Sequence, residues 1–453
     1  MANEIKAIKA REILSSGSTP SIEVKCELES GAVGIASVPY GASAGIHEAF
    51  VLLDGDKKRY DGKGMLKAVE NVNVKIASVL KGKDASNQLE IDKTMIKLDG
   101  SENKKNLGAN AILGVSVAVA RAMANEKKVP LYKYIREAFK LDIKDWRLPN
   151  PMMVVIEGGK HADKSTDFQE YMVSPIGGRS VKENVRAGIE VYLQLKKVFK
   201  EIGLNTNVGN EGAFATSLNI KQPDVTITGA FAPASMGSNE MPFDLILKAI
   251  KDAGHQAGKD VAISIDPAVS ELFDKEKGKY VLNNEGGKEF TSEELIDYFS
   301  RWIEKYPIIT LEDGLSEDDW DGWVKLTKKL GNKISVIGDD LTVTNSKRLQ
   351  KAIDMKAMNA ILIKLNQIGT LSETIECCML ARKHGFMTVI SHRGGGETND
   401  TAMVDLAVAV NSGFIKVGPS RGERVEKYNR LMEIEDELGS KAKVAGKDFR
   451  KIV

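Results

Sequence analysis

Cysteine is scarce in this chain: Cys26, Cys377 and Cys378 are the only three among 453 residues. Three thiols cannot build a disulfide framework, and the adjacent pair sits in a helix-like stretch where core packing accounts for it. A reducing, cytoplasmic setting is the expectation. An excess of one charge is missing too. Lys and Arg number 64 against 63 Asp and Glu, and the interspersed signs leave no footprint for nucleic acid or an anionic membrane. No apolar run reaches membrane-spanning length, and the opening MANEIKAIKAREIL is too polar for a secretory signal. Aromatic residues make up 6%, within the ordinary range for a soluble protein.

What is present is length and alternation. At 453 residues the chain exceeds one average domain, so two are expected, with core enough to need no staples. Residues 1–60 alternate as strands do in SIEVKCEL, GAVGIASVPYG and EAFVLLDG. Turn glycines Gly31, Gly34 and Gly55 separate them, which predicts an antiparallel meander. A helical period follows over 63–80, and NLGANAILGVSVAVARAMANEKKV predicts a long small-residue helix packed closely on its neighbours. The two prolines of DWRLPNPMM mark a boundary, giving an α+β domain over 1–145. Over 146–453, MMVVIEGG, EYMVSP and VAISID alternate with helix patterns such as RAGIEVYLQLKKVFKEIG and SEELIDYFSRWIEKY. That alternation predicts a parallel sheet and, at this length, a closed α/β barrel. The stretch 212–242 breaks the rhythm. It has no helical period and repeats GAFA at Gly212 and Gly229, which suggests an inserted hairpin around DVTIT or a functional lid.

The second half also places a charged or polar residue after one apolar run after another: ISID at Asp266, IITLED at Glu312, ISVIGDD at Asp339, ILIK at Lys364, VISHR at His392 and FIK at Lys416. Several steps are roughly 25 residues, about one strand–helix unit of a barrel whose chemistry sits at strand C-termini. Acids following consecutive strands can meet at one point, and hard cations such as Mg²⁺ take oxygen ligands from one or two carboxylates plus water. Each acid alone could equally cap the helix that follows it. Lys364 leaves a buried strand and could serve as a general base, or merely pair with a barrel acid. Glu211 lies between glycines in VGNEG, which could present a carboxyl to a cleft or be a plain turn. His161 in GGKHA and Gln169 and Glu170 in DFQEYM say little singly.

Together these stretches resemble the enolase family over the whole chain. The motifs run in order from AREIL through GASAGIHEA, RYDGKG, LDGSENKKNLGANAILGVS, GGKHA, DFQEYM, VGNEG, IEKYPIITLEDGLSEDDWDGW, GDDLTVTN, ILIKLNQIGTLSET, SHR, GETND and IKVG to ERVEKYNRL. The resemblance implies an N-terminal α+β domain capping a modified eight-stranded α/β barrel, as a homodimer or higher homo-oligomer. It implies Mg²⁺-dependent dehydration of 2-phosphoglycerate to phosphoenolpyruvate, with two Mg²⁺ per site and no nucleic acid or membrane insertion. Asp266, Glu312 and Asp339 are then expected as ligands of one Mg²⁺, and Ser43 of the GASAG loop as a ligand of the second. Lys364 is implied as base and Glu211 as acid. His161, Gln169, Glu170, His392, Arg393, Gly394 and Lys416 are implied to face the substrate.

The chain departs from the family pattern at several places. Family D-S-R-G-N-P reads Ser15-Ser16-Gly17-Ser18-Thr19-Pro20, and the serine before GAS is Tyr40. The asparagine of N-G-G is Glu157, followed at 160 by a lysine in place of a small residue. The aspartate of V-G-D-E-G-G is Asn210 and its last glycine Ala213. The change at Asn210 removes a like charge beside a carboxyl that must carry a proton. Family S-H-R-S-G-E-T reads Ser391-His392-Arg393-Gly394-Gly395-Gly396-Glu397-Thr398, with the serine hydroxyl gone and one residue added. Three glycines could offer backbone N–H groups to an anion or make room for a bulkier acid. Two further functions follow as alternatives: a lyase for another phosphorylated or phosphonate carboxylic acid, and a non-catalytic enolase-fold binding protein.

Overall fold

The computed structural model describes residues 2–41, 45–218 and 238–451. The chain opens with an antiparallel sheet of β1 (Ile5–Leu14), β2 (Pro20–Leu28) and β3 (Val33–Ser37). Alternation in β2 sends Ile22, Val24, Cys26 and Leu28 inward, and burial pushes the Cys26 thiol up to about 12, as befits a packing residue. Helix α1 (Ala109–Glu126) lies across β2 and β3. Its small residues allow close approach: a Cβ on Gly34 of β3 would fall on the Ala118 carbonyl oxygen.

One expected strand is replaced by another. EAFVLLDG is no strand: Phe50 N–H donates to the Asn103 carbonyl (2.8 Å), and Leu52 N–H to Asn110 Oδ1 (3.1 Å) at the start of α1. The sheet instead takes IKAIKAREIL as β1. Its Ile5–Ile8 spacing does not alternate, but a register shift between Ile5 and Ala7 turns both isoleucines into the core.

Eight strands close into a barrel among the described residues: β4 (Asn150–Glu157), β5 (Glu170–Pro175), β6 (Val261–Asp266), β7 (Ile308–Glu312), β8 (Ser335–Gly338), β9 (Ala360–Ile363), β10 (Met387–Ser391) and β11 (Phe414–Val417). The order around the barrel is the chain order. Side chains such as Met152, Met172, Leu362 and Phe414 fill its interior. The predicted all-parallel arrangement fails at one strand: β5 runs antiparallel to both β4 and β6. The link from β4 to β5 contains no crossover helix, only a short helical turn at Gly159–His161, so the chain returns as a hairpin. Reversal puts the first residue of β5, Glu170, opposite Glu157 and Asp266, the last residues of its neighbours. No helix among the described residues is long and apolar enough to cross a membrane.

The two halves are joined through buried polar side chains. Arg136, on α2 (Leu131–Ala138), donates to the Ala409 and Val408 carbonyls (2.8 and 3.2 Å) and to Asn411 Oδ1 (2.6 Å). Its guanidinium also stacks on Trp146, 3.4 Å from the ring centre. Arg121 of α1 makes a forked pair with Asp400 (2.6 and 2.8 Å). Arg136→Met keeps the stem but leaves these carbonyls without a donor. It is expected to lower stability by about 2–4 kcal/mol, read as a drop in the denaturant midpoint.

Candidate active site at the barrel mouth

The strand ends expected to converge do so. Lys416 of β11 extends its ammonium among three buried carboxylates: Glu170 Oε2 (2.8 Å), Asp266 Oδ2 (3.0 Å) and Glu312 Oε1 (2.7 Å). One cation cannot balance three acids. Burial and then the Asp266 charge push Glu312 well above the usual carboxylate range, and burial also raises Asp266. Burial alone would lower Lys416, but the Asp266, Glu170 and Glu312 charges hold it well above its ordinary value. Glu312 Oε2 is buried with no hydrogen-bond partner among the described residues. An excess of buried carboxylate oxygen with an unused acceptor fits a hard divalent cation.

Asp339 follows β8, and its Oδ2 is the partner of the Lys364 ammonium at the end of β9. Gln367 Nε2 donates to Asp339 Oδ1 (2.8 Å), Thr344 Oγ1 donates to Gln367 Oε1 (2.8 Å), and Lys364 N–H donates to Thr344 Oγ1 (2.9 Å). This ring fixes the lysine and the acid together. Burial would lower Lys364, but Asp339 outweighs it and carries the ammonium up, while Arg393 and Lys416 oppose that rise. Asp313 supports Asp339 from below: its carboxyl accepts the Asp339 and Asp340 N–H groups (both 2.9 Å) from a left-handed backbone at φ 40°. Asp313, Asp339 and Asp340 bring one oxygen each within 4.8 Å of one another, close enough to hold a cation.

Glu211 faces this set from the opposite wall. His161 Nδ1 lies 3.8 Å from Glu211 Oε1 and 3.8 Å from Glu170 Oε1, and His392 Nε2 lies 3.7 Å from Glu211 Oε2. Gln169 Nε2 donates to Glu170 Oε1 at 3.4 Å. Burial and then the Arg424 and Lys416 charges push His392 well below its ordinary value, so its imidazole is neutral. Gly394 lies against Glu211, where a Cβ would fall on Glu211 Oε1. A side chain at 394 and the present Glu211 position exclude each other.

Arg393 is buried and donates to Glu48 Oε1 (2.9 Å), the acid of the GIHEA segment. A Cβ on Gly41 would fall on Arg393 Nε. The added glycine is used in a short antiparallel bridge, Gly395 opposite Gly41 and Gly396 opposite Tyr40. Ser16 N–H donates to the Glu397 carbonyl (2.8 Å) and Glu397 N–H to Ser16 Oγ (3.0 Å). Three departures from the family pattern, at 15–19, at Tyr40 and at 394–396, thus meet in one contact. Ser43 and the DVTIT segment lie outside the described residues, as does most of 212–242; Phe214 at its start bridges to Ile156 of β4.

A cleft of about 350 Å³ reaches His161, Glu211, Asp266, Asp339, Lys364 and Gly394. A larger one of about 930 Å³ lies between residues 100–106 and 345–348 and meets the first at Ile46 and Glu48. A profile described as the N-terminal domain of enolase matches residues 5–135, and one described as the enolase C-terminal TIM barrel domain matches 145–228 and 219–453. The chain belongs to the enolase family. That membership supports an enolase-type function, and most of the cleft's charged residues sit at barrel strand C-termini, where barrel chemistry is usually found.

The strand-end row missed several residues of this enolase-family site. Asp313 follows Glu312 directly in TLED and carries the Asp339 backbone. Gln367 sits in LNQIGT, and Glu48 in GIHEA holds Arg393. Glu157 ends β4 as Asp266 ends β6, but the reversed β5 between them hides it from a count of parallel units. Because burial and the cations around it push His392 well below its ordinary value, ¹⁵N shifts should show its ring neutral at pH 7, with the signal assigned by its loss in His392→Gln.

Proposed function

We propose that the protein is an enolase-type hydro-lyase of two domains, 1–145 and 146–453, that dehydrates 2-phosphoglycerate to phosphoenolpyruvate. The observation that carries the reading is the pairing of opposed groups across one cleft: Lys364 locked to Asp339 on one wall, Glu211 between His161 and His392 on the other. An α-proton next to a carboxylate is far too weakly acidic for a free lysine, so the site must stabilise the enolate that forms. Enolase-superfamily sites do this with a Lys or His base and one or two Mg²⁺ ions. Asp266, Glu312 and Asp339 would hold one Mg²⁺ and Ser43, with the substrate, a second. When bound, these ions supply positive charge that stabilises the enolate and neutralises the acids around Lys364.

The remaining work falls to this chain's own side chains. Lys364, freed from the pull of Asp339 and set beside Arg393 and Lys416, gives up its proton more readily and takes the α-proton. Lys416 faces the carboxylate on which charge develops. Glu211 gives a proton to the departing hydroxide, which leaves as water. Neutral His392 keeps no competing positive charge beside that acid. Arg393 holds the phosphate with its planar fork, with Gly394 offering backbone in place of the family serine. A homodimer or larger homo-oligomer in the cytoplasm completes the reading.

Absorbance of the product enol gives a direct test. Turnover of 2-phosphoglycerate should require Mg²⁺ and vanish with chelator, and Lys364→Ala should lower kcat about 10²–10⁴-fold with the fold intact. No turnover by folded protein in ample Mg²⁺ would sink the assignment. The missing hydroxyl at Gly394 favours, as the second reading, a lyase for another phosphorylated or phosphonate carboxylic acid. A higher kcat/KM for such an acid than for 2-phosphoglycerate would establish it.

A further inference from the structure

Arg393 and Glu48 form a buried ion pair in the wall of the catalytic cleft. Their side chains are 4% and 5% exposed, and Arg393 Nη2 donates to Glu48 Oε1 at 2.9 Å. Both residues line the cleft that reaches Lys364 and Glu211, and Glu48 also lines the larger cleft beside it. Glu48 therefore stands on the rim between the two. The same Oε1 accepts the Gly45 N–H (3.0 Å), and the Glu48 N–H donates to the Gly45 carbonyl (3.1 Å), so a closed turn aims the carboxylate. The next N–H, of Ala49, donates to the Gln367 carbonyl (2.8 Å), and Gln367 belongs to the ring around Asp339 and Lys364. On the other side His47 Nε2 lies 3.2 Å from Asp318 Oδ1. The segment is thus pinned to the barrel at 47 and 49, and the Glu48 side chain can leave Arg393 without the backbone following.

A guanidinium presents two forked edges to an oxyanion, Nε with Nη2 and Nη1 with Nη2, and Nη2 belongs to both. Gly41 crowds the Nε side: a Cβ there would lie 1.9 Å from Nε and 2.4 Å from Nη2. A phosphate held by the fork must therefore share Nη2 with the Glu48 carboxylate. Two anions at one nitrogen repel each other, and more strongly in a buried site than in water.

We propose that Glu48 is an internal competitor for the anion subsite at Arg393: its carboxylate holds the guanidinium as a bound anion would, and an incoming phosphate must displace it. The inference rests on the reading that Arg393 holds the substrate phosphate. Displacement also deprives the Gly45 N–H of its acceptor, so anion binding at Arg393 is transmitted to the 45–49 segment.

Glu48→Gln keeps an oxygen for both donors and removes the charge. Inorganic phosphate, titrated by calorimetry into protein held in Mg²⁺, should bind Glu48→Gln about tenfold more tightly than the unmodified protein. Arg393→Gln should lose most of the binding. Equal or weaker binding by Glu48→Gln would make the carboxylate a support for the arginine and overturn the proposal. Amide exchange gives a reading that needs no variant. Phosphate should speed exchange at the Gly45 N–H of the unmodified protein, and unchanged or slower exchange would also overturn the proposal. If Arg393→Gln binds phosphate as well as the unmodified protein does, the phosphate role of Arg393 fails. If Arg393→Gln loses binding while Glu48→Gln gains none, that role stands and the inference about Glu48 alone fails.

Discussion

The ammonium of Lys416 holds Glu170, Asp266 and Glu312 together in the closed end of the barrel. Buried charges are costly unless paired, and removing one partner of such a set leaves the others uncompensated. Three carboxylates from β5, β6 and β7 could not share this space without a cation from β11. The same cation leaves the set under-balanced, with Glu312 pushed up by burial and Asp266. That residual negative charge suits the mouth to a cation. Stability and function pull in opposite directions at this point, and the barrel wall carries the difference.

Much of this was legible because parallel strands obey a simple rule. Where apolar runs alternate with helices, the residue after each run lands on one rim, so Asp266, Glu312, Asp339, Lys364, His392 and Lys416 could be gathered before any coordinates. The rule fails where the chain does not cross over. Glu170 begins its strand and still reaches the rim, because the link from β4 to β5 is too short of helix to return the chain in parallel. Strand-end counting cannot see that reversal, nor Glu157 on its far side. Periodicity also misled at the N-terminus, where a bulge let Ile5 and Ile8 share a face at non-alternating spacing. EAFVLLDG had the right pattern for a strand, but the start of α1 took its backbone hydrogen bonds. Local pattern sets what a segment can do, and competing partners decide what it does.

Residues that act through others left little sequence signal. Asp313 holds the Asp339 and Asp340 N–H groups as well as lining the cleft, and Gln367 and Thr344 close the ring around Lys364. Their side chains are ordinary in type, and their importance lies in contacts between strands far apart in the chain.

The departures from the family pattern look scattered along the sequence but are not scattered in space. Ser16, Gly17, Tyr40 and the glycines 395 and 396 form one contact: a Cβ on Gly17 would fall on the Gly395 carbonyl, and one on Gly396 on the Tyr40 carbonyl. The absence of a side chain at 17 and at 396 is what lets these segments approach so closely. Glu157 and Asn210 form a second set around the Glu211 loop, with the carboxyl moved from an exposed position to a buried one. Two groups of departures, one packed around Gly41 and Arg393 and one beneath the Glu211 loop, thus border the cleft that Glu211, Arg393 and Gly394 line.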